Sequence, residues 1–247
     1  MLYDRLHNPK LWENFFLPDS GFSFYVHAIL DNPDFSCFPA RAKTYFNLAP
    51  SSYGKLLILI RALLTEAMKD EANKKFVFLC GATIPLKDAA FVRMVMEADD
   101  KSYIGLGPSL RIEGIPVEMR SWCLMHSHWV AVNRRHAELY VHEEKLFPIF
   151  NEIFIGEEHY LGAAMKAAGM DKDNDYFAEE LMGQDWKRGD GNCRPRTVSE
   201  FDDIAREHLL GLARHGCLFA RKYLALPNED SRFVRDTLWS TNKVVSL

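Results

Sequence analysis

Two hydrophobic rhythms alternate along this chain. Residues 22–27 (Phe-Ser-Phe-Tyr-Val-His) and 75–80 (Lys-Phe-Val-Phe-Leu-Cys) are short aromatic and β-branched runs, the signature of buried strands. Between them Leu56, Ile60, Leu63, Leu64 and Ala67 recur on one helical face. Ser51 and Ser52 are good N-caps, which predicts a helix from there to about Lys69. Earlier, residues 1–5 read as a short strand, and Pro9 opens a helix through Trp12 and Phe16. Residues 31–39, with two prolines, read as a loop. Residues 81–86 (Gly-Ala-Thr-Ile-Pro-Leu) must turn tightly, and Asp88 begins a helix to about Met96. Gly105, Gly107, Pro108, Gly114 and Pro116 make residues 101–119 read as an excursion over the surface. Residues 126–132 read as a strand leading into a helix over 134–150. An apolar helical run over 160–170 is opened by Glu157 and Glu158. Ser199, with Asp202 three residues on, reads as the cap of a last long helix that Gly216 ends, and 217–224 runs out of it.

Strand, helix, strand, helix with short connections predicts an α/β fold with a central, mostly parallel sheet flanked by helices. Nothing in the chain marks a repeat, a linker or a low-complexity tract, so residues 1–247 read as one domain. In such sheets ligands bind beyond the carboxyl ends of the strands. His27 and Gly81 stand at such ends.

Composition narrows the class. A net charge of −4 argues against a nucleic-acid groove. The five cysteines, Cys37, Cys80, Cys123, Cys193 and Cys217, are scattered without a CxxC pair, so neither a zinc ribbon nor a disulfide framework is predicted. The first residues lack the basic and apolar regions of a signal peptide. The longest apolar stretch, 56–64, contains Arg61 and is too short to span a bilayer. A soluble, cytoplasmic protein is the expectation.

The acidic pair carries the most suggestive chemistry. A helix N-terminus stabilises negative charge, and a carboxylate held ionised beside a pocket is what a general base needs. Acidic residues also open helices with no chemistry attached. His126 and His128, two apart on a predicted strand, would face one side, which is metal geometry without an obvious third ligand. Asp171, Asp173 and Asp175 are spaced like a calcium loop. However, Tyr176 stands where the turn needs Gly and Met182 where a Glu is needed, so a solvated acidic loop is expected. No Walker loop, GxGxxG or GxSxG is present. Arg194 and Arg196 precede the last long helix, and Arg221 and Lys222 follow it. If the segments flanking that helix approach one another, they form a cationic clamp for a leaving group such as a diphosphate.

Taken in order, these residues resemble the core-2/I-branching β-1,6-N-acetylglucosaminyltransferase family, which includes peptide O-xylosyltransferases and plant relatives. The resemblance runs through Leu-Trp-Glu-Asn-Phe-Phe (11–16), Tyr-Val-His-Ala (25–28) and Phe-Val-Phe-Leu-Cys-Gly-Ala-Thr-Ile-Pro-Leu-Lys (76–87). It continues in Ser-His-Trp-Val (127–130), Arg-Arg-His-Ala (134–137) and Glu-Glu-His-Tyr-Leu (157–161). Asp185-Trp186 and Leu-Phe-Ala-Arg-Lys-Tyr (218–223) close it. It implies a nucleotide-sugar glycosyltransferase fold of the A type, a UDP-sugar donor, a glycan or glycoconjugate acceptor and inversion at the anomeric carbon, with no divalent metal or other cofactor. By the same resemblance Glu158 is the base, and Lys222 with Arg196 holds the diphosphate, Arg194 being the rival for that arginine. His27 belongs to the uridine-side strand, and Gly81, Thr83 and Pro85 to the loop beneath the donor. Trp129, His128, Glu157, Asp185 and Trp186 line the sugar and acceptor site.

The chain departs from the family in several places. Thr83 replaces an Asp or Cys, Ala28 and Ile29 stand where animal members put an Asp, and His128 stands where plant-like members have Gln. The family's membrane anchor, stem and disulfides have no counterpart, and its Golgi placement is not implied for this sequence. The donor sugar, xylose or N-acetylglucosamine, is left open. Two other readings stay beside the transferase: an inactive relative that binds a nucleotide sugar or glycan, and a metal-dependent hydrolase built on His126, His128 and Glu157.

Overall fold

The computed structural model describes residues 6–17, 20–28, 43–46, 48–108, 113–172, 176–177, 181–187, 195–224, 226 and 228–240. The predicted strand at 1–5, the loop at 31–39, Arg194, Cys37, Cys193 and most of the acidic loop after Asp171 lie outside these residues. The order is helix α1 (Pro9–Phe15), strands β1 (Tyr25–Ala28) and β2 (Lys43–Phe46), α2 (Leu57–Met68), β3 (Lys75–Val77) and β4 (Ile84–Pro85). Then come α3 (Ala89–Glu97), β5 (Ser102–Tyr103), β6 (Gly107–Pro108), a 3-10 turn (Val117–Met119), β7 (Leu124–Met125) and β8 (Ala131–Asn133). The chain goes on through α4 (Arg134–His142), α5 (Phe147–Glu152), α6 (Glu157–Ala167), β9 (Tyr176–Phe177) and β10 (Met182–Gln184). It closes with α7 (Asp203–Arg214), β11 (Phe219–Arg221) and α8 (Asn228–Phe233), which continues in wide turns to Trp239.

The architecture is α/β, as the alternation of runs predicts. The described strands form short sheets with ladders of both directions. β1 and β2 pair in parallel, as do β10 with β11 and β5 with β9. β8 runs antiparallel to both β3 and β5, β11 runs antiparallel to β4, and β6 to β7. The period of two along a strand sorts side chains between layers. Around β8, Val130 and Val132 enter a core with Leu57, Ile60, Tyr140, Tyr160 and Leu161. Trp129 and Ala131 enter a second core with Trp12, Phe15, Val26, Val92 and Phe219. Ala220, on the other face of β11, joins α7 and the C-terminal turns through Leu209, Ala213, Val234 and Leu238.

Helices begin where predicted when a cap is written locally. Asp88 accepts the Phe91 N–H at 2.7 Å to start α3, and Asn133 accepts that of His136 at 2.8 Å to start α4. Each such cap is worth about 1 kcal/mol.

Four expectations are corrected. Ser51 and Ser52 do not cap α2, whose N-cap is Leu56; Ser52 instead pairs with Lys55 in a tight bridge. The cap of α7 is Asp202, which accepts the Ala205 N–H at 2.7 Å, rather than Ser199. Gly216 does end that helix, in the left-handed region at φ 85°. The helix predicted over 134–150 is two helices. Glu143 accepts the N–H groups of Lys145, Leu146 and Phe147, and Pro148 cannot extend a preceding helix. The span 101–119 is only in part a surface excursion: among its described residues Ser102, Ile104, Ile115 and Met119 are buried, β5 is an inner strand of its sheet, and Val117 is 73 % exposed.

Candidate active site

The acidic pair opens α6 through a constrained turn. Ile155 sits at φ 61°, unusual for a β-branched residue, and donates its N–H to the Gly54 carbonyl at 2.8 Å. At Gly156 a Cβ would lie 1.8 Å from the Phe150 carbonyl oxygen, so no larger residue fits. The two glutamates then part. Glu157 is 2 % exposed. Its carboxylate takes the main-chain N–H of Leu56, so it serves as the cap that α2 lacks in its own sequence. Burial raises its pKa above the ordinary carboxylate value, with the neighbouring Glu158 adding to the rise. Glu158 keeps access to solvent, its side chain 20 % exposed in the first turn of α6. Its Oε1 lies 3.3 Å from Nδ1 of His128, whose side chain is 14 % exposed. The positive end of α6 favours a charged carboxylate at this position.

Beside this pair stands Arg221, last residue of β11. The period of two puts it on the same face as Phe219, toward Trp129. Its guanidinium carbon lies 4.3 Å from the Trp129 ring centroid. Its Nη1 donates to Oε1 of Gln184 at 2.9 Å, and its side chain is also bonded to Cys80. Burial lowers its pKa, and the Glu158 carboxylate acts in the opposite direction. The His128 ring sits 4.0 Å from that of Trp129. Glu158, His128, Trp129, Arg221 and Cys80 thus form one cluster: a carboxylate, an imidazole, an aromatic wall, a cation and a thiol.

The loop under Arg221 is tied on all sides. Thr83 is fully buried, and its hydroxyl accepts the Cys80 N–H at 3.1 Å. The carbonyls of Gly81, Ala82 and Thr83 accept from His7 N, Tyr223 N and Trp12 Nε1. Pro85 is buried in β4, with its carbonyl taken by Trp239. Thr83 and Pro85 brace this loop rather than present side chains to solvent. His27 is buried at the end of β1, with Nε2 3.4 Å from the Ser51 hydroxyl and its pKa lowered by burial.

The two segments flanking α7 do meet. Val198 N–H is bonded to the Lys222 carbonyl, and Leu224 N–H to that of Val198. Arg196 donates its N–H to the Asp185 carbonyl, and its guanidinium lies 3.7 Å from the Asp202 carboxylate. Asp185 is buried, whereas Trp186 beside it is 53 % exposed. The sequence places Arg221 among the cations flanking α7 but does not predict it beside Glu158. The signal was the alternation of Leu-Phe-Ala-Arg, which sends Phe219 and Arg221 to one face.

The metal geometry read from His126 and His128 is corrected. Residues 126–130 are not a strand, so spacing by two does not place the rings side by side. His126 is buried with Nδ1 against the Ser127 carbonyl, and burial lowers its pKa to about 4. Among the described residues no three His, Cys, Asp or Glu side chains gather as a metal-binding group, the His126, His128 and Glu157 set included. No helix of the described residues is long and apolar enough to cross a membrane.

No protein-family model matches the chain. It is 26 % identical over 168 residues to a rice protein (Oryza sativa subsp. japonica) named Glycosyltransferase BC10. The match covers 60 % of this chain and 41 % of that relative, so the chain spans about two-fifths of the relative's length. The similarity is to a glycosyltransferase.

Proposed function

We propose that the chain is an inverting, metal-independent glycosyltransferase. It moves a sugar, xylose or N-acetylglucosamine, from a UDP-sugar to a hydroxyl of a glycan or glycoconjugate. The observation that carries this reading is the Glu158 carboxylate, held against His128 in the first turn of α6 with the Arg221 cation nearby. Similarity to a glycosyltransferase supports it.

In this mechanism Glu158 removes the proton of the acceptor hydroxyl. The oxygen attacks the anomeric carbon from the face opposite UDP, and a β-linkage forms from an α-linked donor. The bond from the anomeric carbon to the diphosphate breaks, and its electron pair leaves with UDP. Arg196 and Lys222 receive that charge, as fixed cations do for developing anions. Arg221, the last residue of β11 and the neighbour of Lys222, adds to them. Trp186, more than half exposed, offers an aromatic face of the kind that packs on the apolar side of a sugar, while Trp129, buried against Arg221 and His128, backs the site.

The test is UDP release in EDTA from UDP-xylose, UDP-N-acetylglucosamine, UDP-glucuronic acid and UDP-glucose. Release from one donor is expected, reduced about 10²- to 10⁴-fold in kcat by Glu158→Gln with the fold intact, the usual worth of a general base. Near-normal turnover of that variant removes Glu158 from the role, and complete loss in EDTA restores a metal. UDP binding without release from any donor favours the inactive nucleotide-sugar binder.

A further inference from the structure

The contact between His128 and Glu158 has a chemistry of its own. A carboxylate only accepts, so the imidazole nitrogen facing it at 3.3 Å is the one that carries the proton. In the neutral ring that choice leaves Nε2 as the acceptor. The ring is held from behind by the tilted contact with Trp129, and Trp129 is buried under the Arg221 guanidinium. A ring clamped in this way fixes the carboxylate it bonds. The charged and titratable groups facing His128 among the described residues are Glu158 from α6, Arg221 from β11 and His126 from its own segment. Of these only Glu158 favours a proton on the ring.

We infer, resting on the transferase reading above, that His128 is the positioning residue of the base. Its neutral imidazole donates Nδ1–H to Oε1 of Glu158 and holds that carboxylate aimed at the acceptor hydroxyl, and protonation of the ring switches the base off. The two states differ by one charge placed 3.3 Å from Oε1. Neutral imidazole orients the carboxylate and leaves its basicity nearly intact. Imidazolium forms an ion pair with it, stabilises its ionised form and weakens it as a proton acceptor. Burial lowers the His128 pKa, which keeps the ring in its neutral, working state at neutral pH. The acid limb of the rate profile then belongs to His128 as well as to Glu158.

The experiment joins a titration to kinetics on the full chain. Imidazole NMR follows His128 against pH in the parent protein and in Glu158→Gln. Removing the carboxylate removes the group that favours the proton, so the midpoint moves to lower pH. Donor turnover is measured against pH for His128→Gln and His128→Ala. The glutamine amide donates a hydrogen bond without titrating. His128→Gln therefore retains neutral-pH kcat within about threefold, and its acid limb moves to lower pH. His128→Ala loses about 10- to 100-fold in kcat with donor KM nearly unchanged, the scale of a misplaced catalytic group. A melting temperature for each variant separates this from unfolding, and His128→Gln carries the test if the alanine variant does not fold. An unmoved His128 titration in Glu158→Gln, an unchanged acid limb in His128→Gln, or parental kinetics in His128→Ala overturns the inference. Turnover that is present but indifferent to His128 overturns the inference alone. No turnover from any donor in the parent protein overturns the transferase reading and, with it, the need to position a base.

Discussion

Glu157 and Glu158 are neighbours in sequence with opposite fates. The first is drawn into the core to cap α2, and the second stays at the surface against His128. Sequence alone marked the pair as important but gave both to the site, because nothing local says which carboxylate a distant helix start will claim. The turn before them is more demanding than its residues suggest. With the Phe150 carbonyl oxygen 1.8 Å from where a Cβ would stand, Gly156→Ala must displace backbone rather than a flexible side chain. Overpacking of this kind costs roughly 1–3 kcal/mol. A lowered urea midpoint is expected and, on the transferase reading, a loss of turnover larger than the stability change explains, because Glu158 moves with the turn. A variant with parental stability would show that the junction of α5 and α6 is slack.

Helices were more legible than strands. α1, α3, α4 and α6 begin where the sequence places them, since caps, acidic first turns and Pro9 are local signals. The described strands are only two to four residues long, and their partners lie far away in sequence. β5 pairs with β8 and β9 through residues that read as a glycine-rich surface loop. Arg61 is a second case. It interrupts an apolar stretch of α2 and looks like a solvent-facing position. In the fold its guanidinium stacks 3.3 Å from the Phe147 ring centroid, donates to the Tyr160 hydroxyl at 2.9 Å and pairs with Glu144 at 3.1 Å. It also bonds the Glu143 carbonyl. One side chain thus joins α2, α6 and the break between α4 and α5. Arg61→Lys keeps the charge but not the planar fork. A loss of about 1–3 kcal/mol is expected from the hydrogen bonds to the charged group, read by urea unfolding. Parental stability would mean that the four contacts are not cooperative.

Across the whole molecule, three buried or nearly buried histidines, His27, His126 and His128, are pushed below their usual pKa chiefly by desolvation. In the unfolded chain each binds a proton near pH 6.5. Folded, His126 holds out to about 4. Below 6.5 the unfolded state therefore carries more protons, so this part of the stability is complete above about pH 6.5 and declines as the pH falls toward 4. The loss reaches about 1.4 kcal/mol per pH unit for each histidine that is protonated only when unfolded. Urea midpoints should be flat with respect to these groups between pH 7 and 8 and fall between 6.5 and 5, less steeply in His126→Asn if that variant folds. A midpoint that rises on acidification through that window would mean that the histidines are not shielded. None of this was legible from residue spacing, because it depends on which histidines the three cores enclose.

Residues 159–165 of α6 are buried on every side, and Gly162 lies so close to the Leu124 carbonyl that a Cβ there would stand 3.0 Å from it. The helix is therefore a fixed datum from which Glu158 is presented. Three aromatics are open to solvent instead: Tyr53, Phe154 and Trp186, each more than half exposed. For anyone seeking to change what the protein binds, this divides the chain into what can be redrawn and what cannot. On the transferase reading proposed above, diversity placed at the exposed rings redraws the surface offered to an acceptor while the carboxylate keeps its coordinates. The same diversity placed within α6 would be spent on molecules that no longer fold.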